Sequence, residues 1–113
     1  MNDLQKRLKK FAVDVYRFSL KLRQDPLLLD NVNQMIRSSA SPSANYGEAQ
    51  SASSRKDFHN KIRICLKEAR ESYNWLEYFS EIYPSLDEAR PLIKEVEELC
   101  KILSSIAFKT ESH

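Results

Sequence analysis

Four carboxylates stand in the middle of this 113-residue chain: Glu68, Glu71 and Glu77 in one run, and Glu48 in the run before it. Paired carboxylates on facing helices could share a proton or hold metal ions. A di-metal site in a helical bundle, however, needs a Glu from each of two helices and a Glu-x-x-His from each of two others. No Glu-x-x-His occurs here. His59 has Asp57 nearby but no second histidine at ligand spacing, and His113 stands at the very end. Cys65 and Cys100 lack a Cys-x-x-Cys arrangement, so neither a zinc site nor a redox pair is indicated. With Gly47 as its one glycine, the chain cannot build a glycine-rich phosphate loop. These residues point away from an enzyme and imply no cofactor.

The basic residues suggest more. Lys6, Arg7, Lys9 and Lys10 cluster near the start, and Arg55, Lys56, Lys61 and Arg63 open a later run. Such clusters could neutralise phosphates of a nucleic acid, with an affinity that falls as salt rises. No base-reading motif accompanies them, so recognition would follow backbone charge or shape. The net charge of +2 conceals an uneven layout: residues 1–24 carry +5, residues 25–53 carry −2, residues 54–80 carry +2 and residues 81–113 carry −3.

The elements that must position these groups are helical. Leu4, Leu8, Phe11, Val15, Phe18 and Leu22 alternate in steps of four and three, a heptad seam that predicts a first helix over 3–24, with Asn2 or Asp3 capping it. Asp25-Pro26 predicts the start of a second helix over 27–50, facing inward through Leu28, Leu29, Val32, Met35, Ile36 and Ala40. Pro42 interrupts it, and because helical spacing persists on both sides a kinked, continuous helix is expected. Ser54, with Asp57 as the acid of a capping box, opens a third helix over 54–82. Its inner stripe is Phe58, Ile62, Cys65, Leu66, Ala69, Tyr73, Leu76 and Phe79. Ser85-Leu86-Asp87-Glu88 reads as a capping box for a fourth helix over 86–109, with Leu86, Ala89, Ile93, Val96, Cys100, Leu103 and Ala107 inward and Leu92, Leu99 and Ile106 widening the stripe. The scarcity of glycine and proline argues against a sheet-rich fold. The length and the short joints imply one all-α domain over 1–113, an up-down-up-down four-helix bundle. In it the starts of the first and third helices would share one basic pole with Lys109, while Asp25, Asp30, Glu77, Glu81, Asp87 and Glu88 would collect at the other.

Two further patterns concern assembly. Val13, Tyr16 and Leu20 form a second apolar set on the far side of the first helix. A monomeric bundle helix shows one apolar stripe, so these three predict a contact with another subunit. Arg37, Asn45, Glu48, Glu68, Arg70 and Glu71 form a polar seam among the small residues Ser38 to Ala44. Their expected role is structural, pairing with one another or across a subunit boundary and so fixing register. Cys65 and Cys100 fall among apolar positions and read as reduced core residues of a cytoplasmic protein. No apolar run is long enough for a membrane span, and no secretory signal follows the basic start.

The segment Ser41-Pro-Ser-Ala-Asn-Tyr-Gly-Glu-Ala49, with Gln34-Met-Ile-Arg-Ser-Ser-Ala40 before it and Ser54-Arg-Lys-Asp-Phe58 and Leu66-Lys-Glu-Ala-Arg-Glu-Ser-Tyr-Asn-Trp-Leu76 after it, resembles the bacterial four-helix bundle proteins encoded in intervening sequences of the 23S ribosomal RNA gene. The likeness covers roughly Phe11 to Ala107. It implies a ring-like homo-oligomer, a pentamer, and a fold similar to the accessory variability protein of diversity-generating retroelements, a basic pentamer that works with a reverse transcriptase and nucleic acid. Two functions then stand side by side: a non-enzymatic oligomer that binds RNA or DNA through its basic pole, and a scaffold that docks a protein partner without affinity for nucleic acid.

Overall fold

The computed structural model describes residues 3–22 and 24–111; Asn2 and His113 lie outside the described residues. The described residues form four helices and no strand: α1 (Asp3–Ser19), α2 (Leu29–Ala49), α3 (Arg55–Ile82) and α4 (Ala89–Thr110), with a 3₁₀ turn at Pro26–Leu28 before α2. Neighbouring helices run antiparallel. Gln5 near the start of α1 donates to the Ser43 carbonyl late in α2. Lys61 early in α3 pairs with Glu48 at the end of α2, and His59 meets Thr110 at the end of α4. Lys21, just past α1, reaches Glu88 just before α4. Each helix packs on its neighbours in sequence, and α1 closes against α4 through the slightest contact. The result is a bundle 45 Å long and 24 by 20 Å across.

The heptad residues of α1 do what their spacing demands: Leu8, Phe11, Val15, Phe18 and Leu22 are buried in one cluster with Ile62, Cys65, Leu76, Phe79, Val96, Leu99 and Leu103. Each large side chain so buried contributes about 1.5–3 kcal/mol of apolar transfer energy. α1 nevertheless ends at Ser19, short of the expected Gln24. The hydroxyl of Ser19 donates to the Tyr16 carbonyl, and three successive i to i−3 bonds from Leu20, Lys21 and Leu22 tighten the chain into turns. That tightening is what carries Leu22 into the core.

Asp25 accepts from the Leu27 N–H at 2.9 Å, with Pro26 in the first turn, as Asp-Pro chemistry requires. α2 is continuous across Pro42. Its inward face differs from the apolar periodicity. Leu29 and Ala40 point outward, while Ser38, Ser39 and Pro42 are buried with Val32, Met35, Tyr46 and Ala49. Small hydroxyl residues can be buried where α2 and α3 approach closely because they satisfy one another: Ser39 and Ser72 share a hydrogen bond of 2.5 Å across the two helices, and Ser38 donates to the Met35 carbonyl.

Ser54 caps α3 by accepting from the Asp57 N–H, and Asp57 returns the bond one residue early, to the Ser53 N–H. The second expected capping box does not form. α4 begins at Ala89, with Glu88 at its cap position and no side-chain bond there. Bonds from Leu86 to Tyr83, from Ala89 to Leu86 and from Arg90 to Asp87 make residues 83–90 a run of turns, which tucks Leu86 against the core. In α4 the most buried residues are Ala89, Leu92, Val96, Leu99 and Leu103. The inward face thus centres on Leu92 and Leu99, and Ile93, Cys100 and Ala107 sit at its margin.

Candidate nucleic-acid interface

α3 runs 28 residues. One side is buried through Ile62, Cys65, Leu66, Ala69, Ser72, Leu76 and Phe79. On the side turned away from the core, Lys56, Arg63, Lys67 and Arg70 follow one another at intervals of seven, four and three, which keeps them on one helix face. Arg63, Lys67 and Arg70 line an open groove of about 990 Å³ between α3 and the last turns of α4. The groove exists because α4 offers Ser104 and Ala107 where larger side chains would fill the space. His59, Asn60 and Asn74 add polar atoms along it, and Ile64 and Phe108 add apolar ones.

The charge balance of this groove depends on pairing. Among the described residues, Lys56, Arg63, Lys67 and Arg70 form no ion pair or side-chain hydrogen bond. Two carboxylates enter the lining, Glu71 and Glu111. Glu71 is already engaged: its Oε2 accepts from Arg37 Nη2 at 2.6 Å and from Trp75 Nε1 at 3.3 Å. Arg37 binds Glu68 as well, at 2.9 Å, and these bonds, that to Glu71 foremost, hold the guanidinium above its ordinary pKa.

The other bases read from the sequence are differently placed. Arg7 makes a two-pronged bond to Glu95, at 2.7 and 3.1 Å, which raises its pKa. Lys10 pairs with Asp14, Lys61 with Glu48, and Arg55 donates to the Lys109 carbonyl. Lys6 and Lys9 are exposed on α1. The Arg7–Glu95 pair also fixes the level of α1. Glu95 lies fourteen residues before Lys109, about 21 Å along α4. The bases of α1 stand on a helix whose backbone is not a direct neighbour of α3, and they form a patch separate from that of α3.

The remaining residues singled out in the sequence fall into two groups. Val13 and Tyr16 on α1, and Leu20 just past its end, are exposed, at 43%, 47% and 51%. In the seam, Arg37, Glu68 and Glu71 join α2 to α3, Glu48 pairs with Lys61, and Asn45 donates to the carbonyl and hydroxyl of Ser41. Arg70 stands outside the seam, on the groove. Lys67 and Phe108 are among the groove residues that the sequence reading left out. The signal that could have found Lys67 is its place between Arg63 and Arg70 on one face. For Phe108 there was none, because nothing in one sequence shows how exposed an aromatic near a helix end will be.

Nothing in the geometry brings reactive groups together. Among the described residues no three of His, Cys, Asp and Glu are grouped as metal ligands, and no helix is long and apolar enough to cross a membrane. Both cysteines are free thiols. Burial pushes the Cys65 thiol up to about 12, and it donates to the Pro42 carbonyl at 3.5 Å. Burial raises the Cys100 thiol too.

Comparison with known proteins places this geometry among relatives. Residues 2–105 match the sequence model of the 23S rRNA-intervening sequence protein family. Among solved structures, the chain is similar to a protein of unknown function from the S23 ribosomal protein family of Bacteroides thetaiotaomicron VPI-5482. The two share 31% identity and superpose with a TM-score of 0.84, over 92% of this chain and 97% of the other. No curated protein matches.

Proposed function

The chain belongs to the 23S rRNA-intervening sequence protein family, and from that premise we propose that it is a non-enzymatic, oligomeric helical protein that binds the phosphate backbone of nucleic acid. The observation that carries this reading is the row of unpaired bases on α3, Arg63, Lys67 and Arg70, gathered in one groove with Lys56 on the same face. A cation already held by a carboxylate must give up that partner to reach a phosphate, as Arg7 and Lys10 would. The α3 bases give up only water. Arg37 favours them further by occupying Glu71. The relative's place in a family described as ribosomal fits an RNA partner.

Assembly is part of the same proposal. The exposed set of Val13 and Tyr16 on α1 and Leu20 just past it lies outside the lining of the α3–α4 groove. Copies joined through α1, closing in the ring of five that the sequence resemblance implies, would leave each groove open. Repetition of a weak site around a ring multiplies affinity without new contacts. We take α2 to bend at Pro42 within that assembly.

Binding of the purified protein to random-sequence RNA and to a DNA duplex across a salt series, with the mass of the free particle followed by light scattering, tests the proposal. Affinity whose logarithm falls linearly with the logarithm of salt supports it. An absence of binding at low salt removes it, and the exposed stripe of α1 would then be read as the docking face of a protein scaffold.

A further inference from the structure

We infer that His59 is a proton-dependent phosphate ligand of the α3–α4 groove, silent when neutral and one more cation of the α3 row when protonated. The inference rests on the reading of the groove as a phosphate site and adds to it a ligand residue and a control by pH. The row has one gap. Lys56 and Arg63 stand seven residues apart, and His59 fills the interval, three residues after Lys56 and four before Arg63. Lys56, His59, Arg63, Lys67 and Arg70 then follow in steps of three, four, four and three, which keeps all of them on one helix face. His59 also belongs to the groove lining.

Its bonding fixes one tautomer. Nδ1 lies 2.8 Å from the Thr110 hydroxyl. That hydroxyl has a single proton, which it gives to the Ile106 carbonyl at 2.8 Å, with the Ala107 carbonyl at 3.3 Å. Toward His59 it can only accept, so Nδ1 carries the hydrogen and Nε2 is the basic nitrogen of the neutral ring. Among the described residues no hydrogen bond reaches Nε2. It is open to solvent, since among them no buried side-chain nitrogen or oxygen lacks a partner. A neutral Nε2 turns a lone pair toward a phosphate oxygen and repels it. A proton there makes an N–H donor of positive charge, and bonds of that kind are about twice as strong as neutral ones. Thr110 keeps its bond in both states, because Nδ1 donates in each. On the helices that meet at the ring, the charged neighbours are Arg55, Lys56, Asp57 and Arg63 of α3, and Lys109 and Glu111 at the end of α4. Arg55 is turned to the Lys109 carbonyl and Asp57 to the Ser53 N–H, and Glu48 of α2 is taken by Lys61. A phosphate bound among the remaining cations favours the protonated ring, so binding takes up a proton.

Histidine is the side chain whose charge ordinarily changes between about pH 5 and 8, while ordinary carboxylates, lysines and arginines keep theirs across most of that range. The test titrates a labelled RNA of mixed sequence by anisotropy, at fixed ionic strength, from about pH 5.5 to about pH 8. It compares the parent with His59→Gln and His113→Ala, with circular dichroism and light scattering following fold and particle mass. The parent should bind roughly tenfold more tightly at the acid end. His59→Gln should bind equally across the range, near the parent's affinity at the alkaline end, and His113→Ala should follow the parent. Nitrogen NMR of the parent supplies a readout that does not depend on a variant folding: the titration of His59 should move to higher pH when RNA saturates the protein. A flat parent curve, a pH dependence that survives in His59→Gln, or a His59 titration that RNA leaves in place overturns the inference while the phosphate site stands. If the parent binds RNA at no pH, the phosphate reading has failed and the inference falls with it.

Discussion

Arg37 on α2 holds Glu71 on α3 at 2.6 Å, and in doing so covers a negative charge that lines the basic groove. The arginine is not itself in the groove lining. Its effect there is indirect, through the carboxylate it occupies, and the Trp75 N–H completes the clamp from one helical turn away. A residue conspicuous in the sequence as part of a structural seam thus also sets the charge of the surface beside it.

That relationship can be separated from stability. Arg37→Gln should weaken RNA binding a few-fold by releasing Glu71, and Glu71→Gln should strengthen it. The double variant should bind like Glu71→Gln, because the arginine acts only through the carboxylate. Arg37 is half-exposed in both pairs, so melting of the variants should change by less than about 1 kcal/mol. Anisotropy titrations and urea melts of the four proteins provide the comparison, and independent, additive effects of the two changes would contradict the coupling.

The buried hydroxyls of Ser39 and Ser72 should matter to folding more than their size suggests. Either serine changed to alanine leaves the other hydroxyl without its partner in a fully buried place, at a cost of about 1–3 kcal/mol. Ser39→Ala/Ser72→Ala removes both polar groups and should cost less than the two single changes together. Urea denaturation of the three variants measures this, and simple additivity would mean that the bond contributes nothing.

These serines also show where sequence reading stops. Apolar periodicity located the seam of α1 residue by residue, because its inward positions, the buried Ser19 apart, are leucine, valine and phenylalanine. In α2 the same reasoning turned Ala40 and Leu29 inward and passed over Ser38 and Ser39, since a hydroxyl carries no sign of whether a partner awaits it on another helix. Capping chemistry was legible at Asp25 and Ser54, where the side chain acts on its own next turn. It misled at Ser85, where the pull of Leu86 toward the core delayed α4. The single basic pole was read from topology alone. Helix order placed the ends correctly, but the level at which a 17-residue α1 lies along a 22-residue α4 is decided by pairs such as Arg7–Glu95, which no periodicity reveals.

Cys65 should couple stability to alkaline pH. Its thiol is neutral in the folded protein up to about 12 because burial disfavours the thiolate, whereas in the unfolded chain it ionises near about 8.5. A raised folded value means that its contribution is intact below the unfolded pKa and is lost as pH climbs toward the folded one. The parent should therefore lose stability relative to Cys65→Ala between about pH 9 and 12, by at most about 1.4 kcal/mol per pH unit. Urea midpoints of both proteins across that range test it, and parallel curves would contradict the burial of the thiol. Thiol labelling at pH 8 should likewise reach the half-buried Cys100 first.

Assembly should depend on α1 and leave the fold alone. Val13→Ser, Tyr16→Ser and Leu20→Ser together alter only exposed side chains, and exposed changes typically move stability by no more than about 0.5 kcal/mol each. Helix content should persist while the particle mass falls toward that of one chain. A variant of unchanged mass would place the subunit contact elsewhere.

The most direct test of the phosphate site is the salt dependence of RNA binding in Arg63→Gln/Lys67→Gln/Arg70→Gln, measured beside Lys6→Gln/Lys9→Gln, which removes two exposed lysines of α1. The groove variant should lose most of its affinity, and the slope of log K against log salt should flatten by about 0.7 for each phosphate contact removed. The α1 variant should keep most of both. Equal, small losses in the two variants would mean that charge is diffuse over the surface and that the α3–α4 groove is not where nucleic acid binds.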